Sequence, residues 1–324
     1  MKQHSGHVVL AAFALVLMAG SPLFAGTYPT AEFYLNGVGA GNVMAGVYTS
    51  PYNAVINPTS INPSTKVATG GTAMKVICDD FGSESYINEY WNTRLTALTG
   101  TSSLTAGTYN DTGKTYDSSL KWGGNPGTGG GAAGYVVVND NAEAVSLGVT
   151  SEVKTLTQLQ AYDAAALLSI NIMAISNGSG NATQLGDYSF ALWALFDFNS
   201  ATNKNPALDQ LSPSYSTDEK NAMAYLKVAV DNVVAGKGND GTTNLDVYLG
   251  HYTVNIYSYF NPNNVQPPYC YNVSGGVCPQ TPPQEFITVT VPEPTSLAVL
   301  GTYALFGGAS LLFFGRRRIF GARG

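Results

Sequence analysis

Cys78, Asp79 and Asp80 follow the apolar Val76-Ile77 and precede Phe81, the one place in the chain where a thiol stands beside two carboxylates. A cysteine attacks as its thiolate, and paired acids cleave glycosidic bonds, so this segment is the leading candidate for chemistry. Glu84 and Glu89 lengthen the acidic run. Two plainer readings compete with a reactive one. Cys78 is a buried strand residue with Asp79 and Asp80 in the turn after it, or the acids are solvated or hold calcium. Histidine chemistry has little to work with, because the chain has 3 histidines and two of them, His4 and His7, fall in an N-terminal targeting segment. The third, His251, follows Gly250 and has no Gly-x-Ser-x-Gly elbow to partner it.

No catalytic set and no metal site is therefore assigned. Asn239-Asp240-Gly241 through Asp246 has some features of a calcium loop but lacks the closing Glu, and reads as a turn. Calcium is the one cofactor left open. The Gly-rich stretch from Gly100 to Gly134 has no Lys-Ser/Thr after it, so it reads as a flexible surface loop rather than a phosphate cradle.

The elements that must position Cys78 follow from periodicity. Turn residues at Asn57-Pro58, Asn62-Pro63 and Gly70-Gly71 punctuate an N-terminal third of strands, one of which ends at Cys78. Leu156, Leu159, Tyr162, Ala166, Ile170, Met173 and Ala174 recur at helical steps and predict a core-facing helix from about Ser151 to Ser176. Asp187 is a candidate cap for a second, short helix carrying Phe190, Ala191, Trp193, Ala194 and Leu195. A third runs from Ser216, with Glu219 at capping-box spacing, to near Gly236. Tyr252 to Phe260 alternates as a strand, and Glu285 to Val291 is a last short one. Strands, then a central group of about three helices, then strands predict a single α+β ectodomain over residues 26–290 rather than a βαβ repeat.

Both ends of the sequence carry targeting signals. Lys2, the apolar Val8–Ala19 and Ser21-Pro22-Leu23-Phe24-Ala25 predict a signal peptide over 1–25, cleaved after Ala25. Near the other end come Val291-Pro292-Glu293-Pro294, an apolar run from Leu297 to Gly315, and Arg316-Arg317-Arg318. A helix over that run spans roughly 30 Å, the thickness of a bilayer's hydrocarbon core. The arginine cluster stays in water, and the positive-inside rule puts it in the cytoplasm with Pro292–Pro294 outside. Pro292 and Pro294 keep the preceding segment extended and accessible. In the oxidising compartment this implies, Cys270 and Cys278 bracket Gly275-Gly276 at a spacing compatible with a disulfide-closed loop, leaving Cys78 over. Only 11% of residues are charged and the net charge is −6, so the basic face that nucleic-acid binding needs is missing. Abundant Tyr, Asn, Ser, Thr and Gly suit a cell-surface or polysaccharide-facing protein.

The pattern at residues 291–324 resembles the PEP-CTERM sorting signal of Gram-negative bacteria. That resemblance implies an exported precursor held in the inner membrane by its C-terminal helix. It is then handled by an exosortase-type membrane protease that recognises Pro292, Glu293 and Pro294 with the span, and goes on to the cell surface or the extracellular matrix of a biofilm. A structural or adhesive role follows as the leading expectation, with extracellular polysaccharide as a partner. The alternative is a secreted glycan hydrolase using the clustered carboxylates. Cys-Asp-Asp-Phe segments followed by a Trp-containing stretch are similar to those of PEP-CTERM proteins with no assigned activity. Residues from Ile77 to Phe198 also resemble the thioester domains of Gram-positive surface adhesins. There a Cys at a strand end bonds to a Gln four residues before a helical Trp. Cys78, Ala191 and Trp193 match, whereas Ser189 occupies the Gln position. The resemblance therefore implies the scaffold without the bond.

Overall fold

The computed structural model describes residues 30–39, 42–82, 85–99, 103–104, 120, 135–137, 153–178, 181–197, 205–212, 214–260, 277–279 and 281–291. The expectations placed on residues 1–25, on most of the Gly-rich 100–134 segment, on Glu84, on Cys270 and on everything after Val291 lie outside the described residues. Val291 itself is exposed just beyond the last strand.

In chain order come β1 (Thr30–Gly37), a hairpin of β2 (Val43–Met44) and β3 (Val47–Tyr48), and β4 (Tyr52–Ile56). A second hairpin of β5 (Ser60–Ile61) and β6 (Ala68–Thr69) leads to β7 (Thr72–Cys78) and β8 (Glu89–Thr99). The small strands β9 (Ser103–Leu104), β10 (Tyr135–Val137) and β11 (Val153–Thr155) precede the helices. Those are α1 (Gln158–Asn177), α2 (Ala182–Phe196), α3 (Pro206–Asp209), α4 (Ser216–Val234) and α5 (Leu245–Leu249), followed by β12 (Thr253–Tyr259) and β13 (Phe286–Thr290).

Six strands close on themselves in the order β1, β4, β7, β13, β12, β8, because β8 pairs with both β12 and β1. Every pairing in this barrel is antiparallel, and closure leaves no open edge among the six. The period-two alternation of the strands sorts the side chains. Phe33, Tyr52, Val76, Cys78, Trp91, Tyr257 and Phe286 form one buried cluster drawn from all six strands, which is the barrel interior. Phe33 stacks on Trp91 and on Phe286 with ring centroids 5.0 Å apart in each case. The alternate residues Ile77, Val254, Ile256, Ile287 and Val289 face outward into a second core shared with the helices. The barrel is thus covered by helices along β7, β13 and β12, and the fold is mixed α+β as expected.

Several boundaries differ from the sequence expectation. The segment read as the start of the first helix is the β-branched strand β11, and α1 begins at Gln158 under a Thr157–Gln160 capping box. Lys75 on β7 closes its other end, donating to Ser176 Oγ at 2.8 Å and Asn177 Oδ1 at 3.0 Å. There its charge also complements the helix dipole. Helix α2 is longer than expected. Asn181 caps it by accepting from Thr183 N, and Asp187 lies inside it, buried. Helix α4 has no capping box, because Ser216 is its first helical residue and Tyr215 precedes it without a side-chain cap bond. The Asn239–Asp246 segment is a turn, as read, built on Asp240, which accepts from Thr242 N and Thr243 N. It also holds the start of α5, capped by Asn244. Among the described residues there are five helices, two of them single short turns, where about three were expected.

Candidate functional site

Cys78 is the last residue of β7, and the chain turns inward after it. Cys78, Asp79 and Asp80 are all fully buried, which corrects the reading of the two acids as a solvated turn. Every polar atom of Cys78 is engaged. Its N–H donates to Ser50 Oγ at 3.2 Å, and its carbonyl accepts from the indole Nε1 of Trp193 at 2.9 Å. Its thiol donates to the Asp80 carbonyl at 3.2 Å, and its sulfur accepts from the Asp80 N–H at 3.4 Å. The sulfur is therefore held in a small ring made by its own chain two residues on.

Helix α2 supplies the other wall. Ser189 Oγ accepts from the Ser50 N–H at 3.1 Å while donating to the Leu185 carbonyl one turn back at 2.9 Å. A relay of hydrogen bonds thus runs from Ser189 through Ser50 to Cys78, and a second, direct one from Trp193 to Cys78. The structure brings together the three positions that the sequence singled out, Cys78, Ser189 and Trp193. Phe81, Phe190 and Trp193 pack around the junction with centroid separations of 4.9–6.1 Å.

On the other side of β7, Asp79 N–H reaches the Glu285 carbonyl at 3.4 Å, and Gln284 Nε2 donates to the Asp80 carbonyl at 2.8 Å. The buried carboxylate of Glu285 accepts from the Tyr162 hydroxyl of α1 and the Ser258 hydroxyl of β12. Burial raises the phenol of Tyr52 above its ordinary range, and the nearby Cys78 thiol adds to the effect. Glu89 is buried too, accepting from Tyr86 N at 2.8 Å, and desolvation raises its carboxyl despite that bond. His251 is exposed at the turn before β12.

Chemically this is a closed junction rather than an open cleft. A thiol with no exposure and both hydrogen-bonding directions filled is shielded from solution. A hydroxyl at position 189 has no amide carbon to offer it. A glycan has no access to carboxylates that are fully buried, as Asp79 and Asp80 are. Among the described residues there is no cluster of three or more His, Cys, Asp or Glu that would hold a metal ion. Cys78 is a free cysteine; Cys278 is half-buried, and the bridge expected of it involves Cys270 outside the described residues.

Sequence reasoning missed Ser50, Tyr162, Ser258 and Glu285. Nothing marks Ser50 in Thr49-Ser50-Pro51, whose role exists only because β4 runs beside β7. Glu285 carried one usable signal, an acid at the head of a strand that opens with the apolar Phe286-Ile287. No protein-family model, curated protein or solved structure matches this chain.

Proposed function

We propose that the chain is an exported surface or extracellular-matrix protein with a structural or adhesive role. It is sorted by an exosortase-type protease through Val291, Pro292, Glu293, Pro294, the 297–315 span and Arg316-Arg317-Arg318. The observation that carries this reading is the order of those three features, a Pro-Glu-Pro motif, an apolar run of membrane length and an arginine cluster. The buried cysteine and acids favour a scaffold over a catalyst. They leave the exposed surface, rich in hydroxyls and amides, as the part that meets a polysaccharide matrix.

A second reading is kept because one observation favours it. Trp193 of α2 bonds to Cys78 at the strand end and Ser189 reaches it through Ser50, the arrangement implied by the thioester-domain resemblance, with the bond-forming Gln absent. On this reading the ectodomain is an adhesin scaffold that binds without a covalent step.

The deciding experiment is the intact mass of the protein recovered from its native host without reductant. Sorting by cleavage predicts a C-terminus near Pro292–Thr295, and the disulfide predicts a mass lower by two hydrogens with one free thiol. A chain ending at Gly324 would reduce the signal to a plain membrane anchor. A deficit of one ammonia that methylamine reverses would mean that Cys78 has bonded to an amide after all.

A further inference from the structure

On the face of α2 opposite Ser189, two residues and about 200° around the helix, lies a carboxyl that the Cys78 junction does not use. Asp187 is 1% exposed. Its Oδ2 accepts from Asn221 Nδ2 of α4 at 2.9 Å, whereas its Oδ1 is buried without a hydrogen-bond donor. Asp218 lies in the first turn of α4, three residues before Asn221 and so on the same face of that helix, and its charge acts on Asp187. A buried oxygen without a donor costs stability, and two neighbouring carboxylates repel. Both problems vanish if one proton sits between them, because a protonated carboxyl becomes the missing donor.

We propose that Asp187 and Asp218 share one proton in mildly acidic conditions and so form a clasp between α2 and α4 that controls how firmly α2 holds Ser189 and Trp193 against the end of β7.

The surroundings support a clasp of this kind. The Asp187 carboxyl is pushed up to about 6, first by burial, with Asn221 pulling it down and Asp218 pushing it up. The helices packed against α2 carry Asp163 on α1, Asp209 on α3, and Asp218, Glu219, Lys220 and the ion pair of Lys227 with Asp231 on α4. Of these, Asp218 is the one whose charge acts on Asp187. The β2–β3 hairpin reaches α2 through Met44, packed so closely on Gly186 that an added Cβ would lie 2.4 Å from its Cε, and it brings no charge. One helical turn along α4 from Asn221, Tyr225 stacks flat on Tyr188 with centroids 4.0 Å apart and planes within 1°. The same two helices are thus joined by a carboxyl pair and, beside it, by an aromatic pair that reports on their separation.

The test is thermal melting of the full chain from pH 4.5 to 8, read by near-ultraviolet circular dichroism of the stacked tyrosines. Amide exchange across Phe190–Leu195 is followed in parallel. In an Asp163→Asn background, which takes away the separate titration of that buried acid, raising the pH through 6 lowers the melting temperature by roughly 3–5 °C and speeds exchange in α2. In that background Asp187→Asn, whose amide is a permanent donor, removes the pH step, and Asp218→Asn reduces it, since burial is the larger cause at Asp187. Adding Asp218→Asn to Asp187→Asn removes nothing further. Should Asp187→Asn fail to fold, Asp218→Asn at its half-exposed position carries the same test. A step that Asp218→Asn leaves undiminished overturns the proposal, since the proton would then belong to Asp187 alone. So does a rise in melting temperature with calcium at pH 7.5 that Asp187→Asn abolishes, since a cation and not a proton would then join the pair.

Discussion

Trp193 donates its indole N–H to the carbonyl oxygen of Cys78 over 2.9 Å, joining helix α2 to the last residue of β7 across 115 positions of sequence. The bond lies where the barrel hands over to the helical layer, and both residues are buried. A strand's final carbonyl has no ladder partner beyond it, and a buried carbonyl without a donor costs about as much as a lost hydrogen bond. Trp193 answers that need from a different layer of the fold, which makes the junction specific as well as closed.

Trp193→Phe keeps an aromatic ring but leaves the Cys78 carbonyl without its donor. It is expected to destabilise the protein by about 2–3 kcal/mol in urea unfolding, the penalty for a buried unpaired acceptor plus lost packing. Ser189→Ala removes the acceptor of the Ser50 N–H and should cost about 1–2 kcal/mol. If both variants unfold at the wild-type midpoint, the junction is not a structural lock.

The thiol of Cys78 should be silent. With no exposure and with Asp80 filling both of its hydrogen-bonding directions, it reacts only when the barrel opens. Alkylation by iodoacetamide in buffer is expected to follow the opening rate and to reach free-thiol speed only in denaturant. Labelling that is complete within minutes in the native state would place the sulfur at the surface and reopen a reactive role.

Glu285 ties α1 and β12 together through Tyr162 and Ser258. Tyr162→Phe and Ser258→Ala should each cost about 1.5–3 kcal/mol, the range for hydrogen bonds to a carboxylate. Because both donors serve one acceptor, the double variant should depart from the sum of the singles. Strict additivity in a double-mutant cycle would mean that the two contacts act independently.

How far this site could be read in advance depended on how local each signal was. Cys78 at a strand end and Trp193 on a helix were legible, since each follows from a short run of residue types. Their contact was legible only through a resemblance. Ser50 was not legible, because its part depends on β4 lying beside β7. Barrel closure is likewise non-local, resting on pairs such as Phe33 opposite Trp91. Asp187 was misread as a cap because a capping residue and a buried helical acid have the same identity. Only Asn181, six positions earlier, decides between them. Asp79 and Asp80 looked like turn acids for a similar reason, as burial of a carboxylate has no sequence signature of its own.

Asp163 supplies a pH dependence of its own. Burial, and secondarily the charge of Asp246, pushes its carboxyl up to about 7, far above the ordinary value of 3.8. The neutral form is therefore favoured in the folded state, and between those two values the folded protein binds more protons at this residue than the unfolded chain does. Stability from this group is fully present below about pH 4 and is lost as the pH rises through about 7, the reverse of a salt-bridged aspartate. At 1.4 kcal/mol per unit the loss is at most about 4–5 kcal/mol. Asp163→Asn keeps the shape without the titration, so its unfolding free energy should change less between pH 5 and 8 than that of the wild type. Asp246→Asn should retain most of the slope, because burial is the larger cause. A wild type that gains stability steadily from pH 5 to 8 would contradict this assignment, for it would mean that Asp163 is ionised in the fold at little cost.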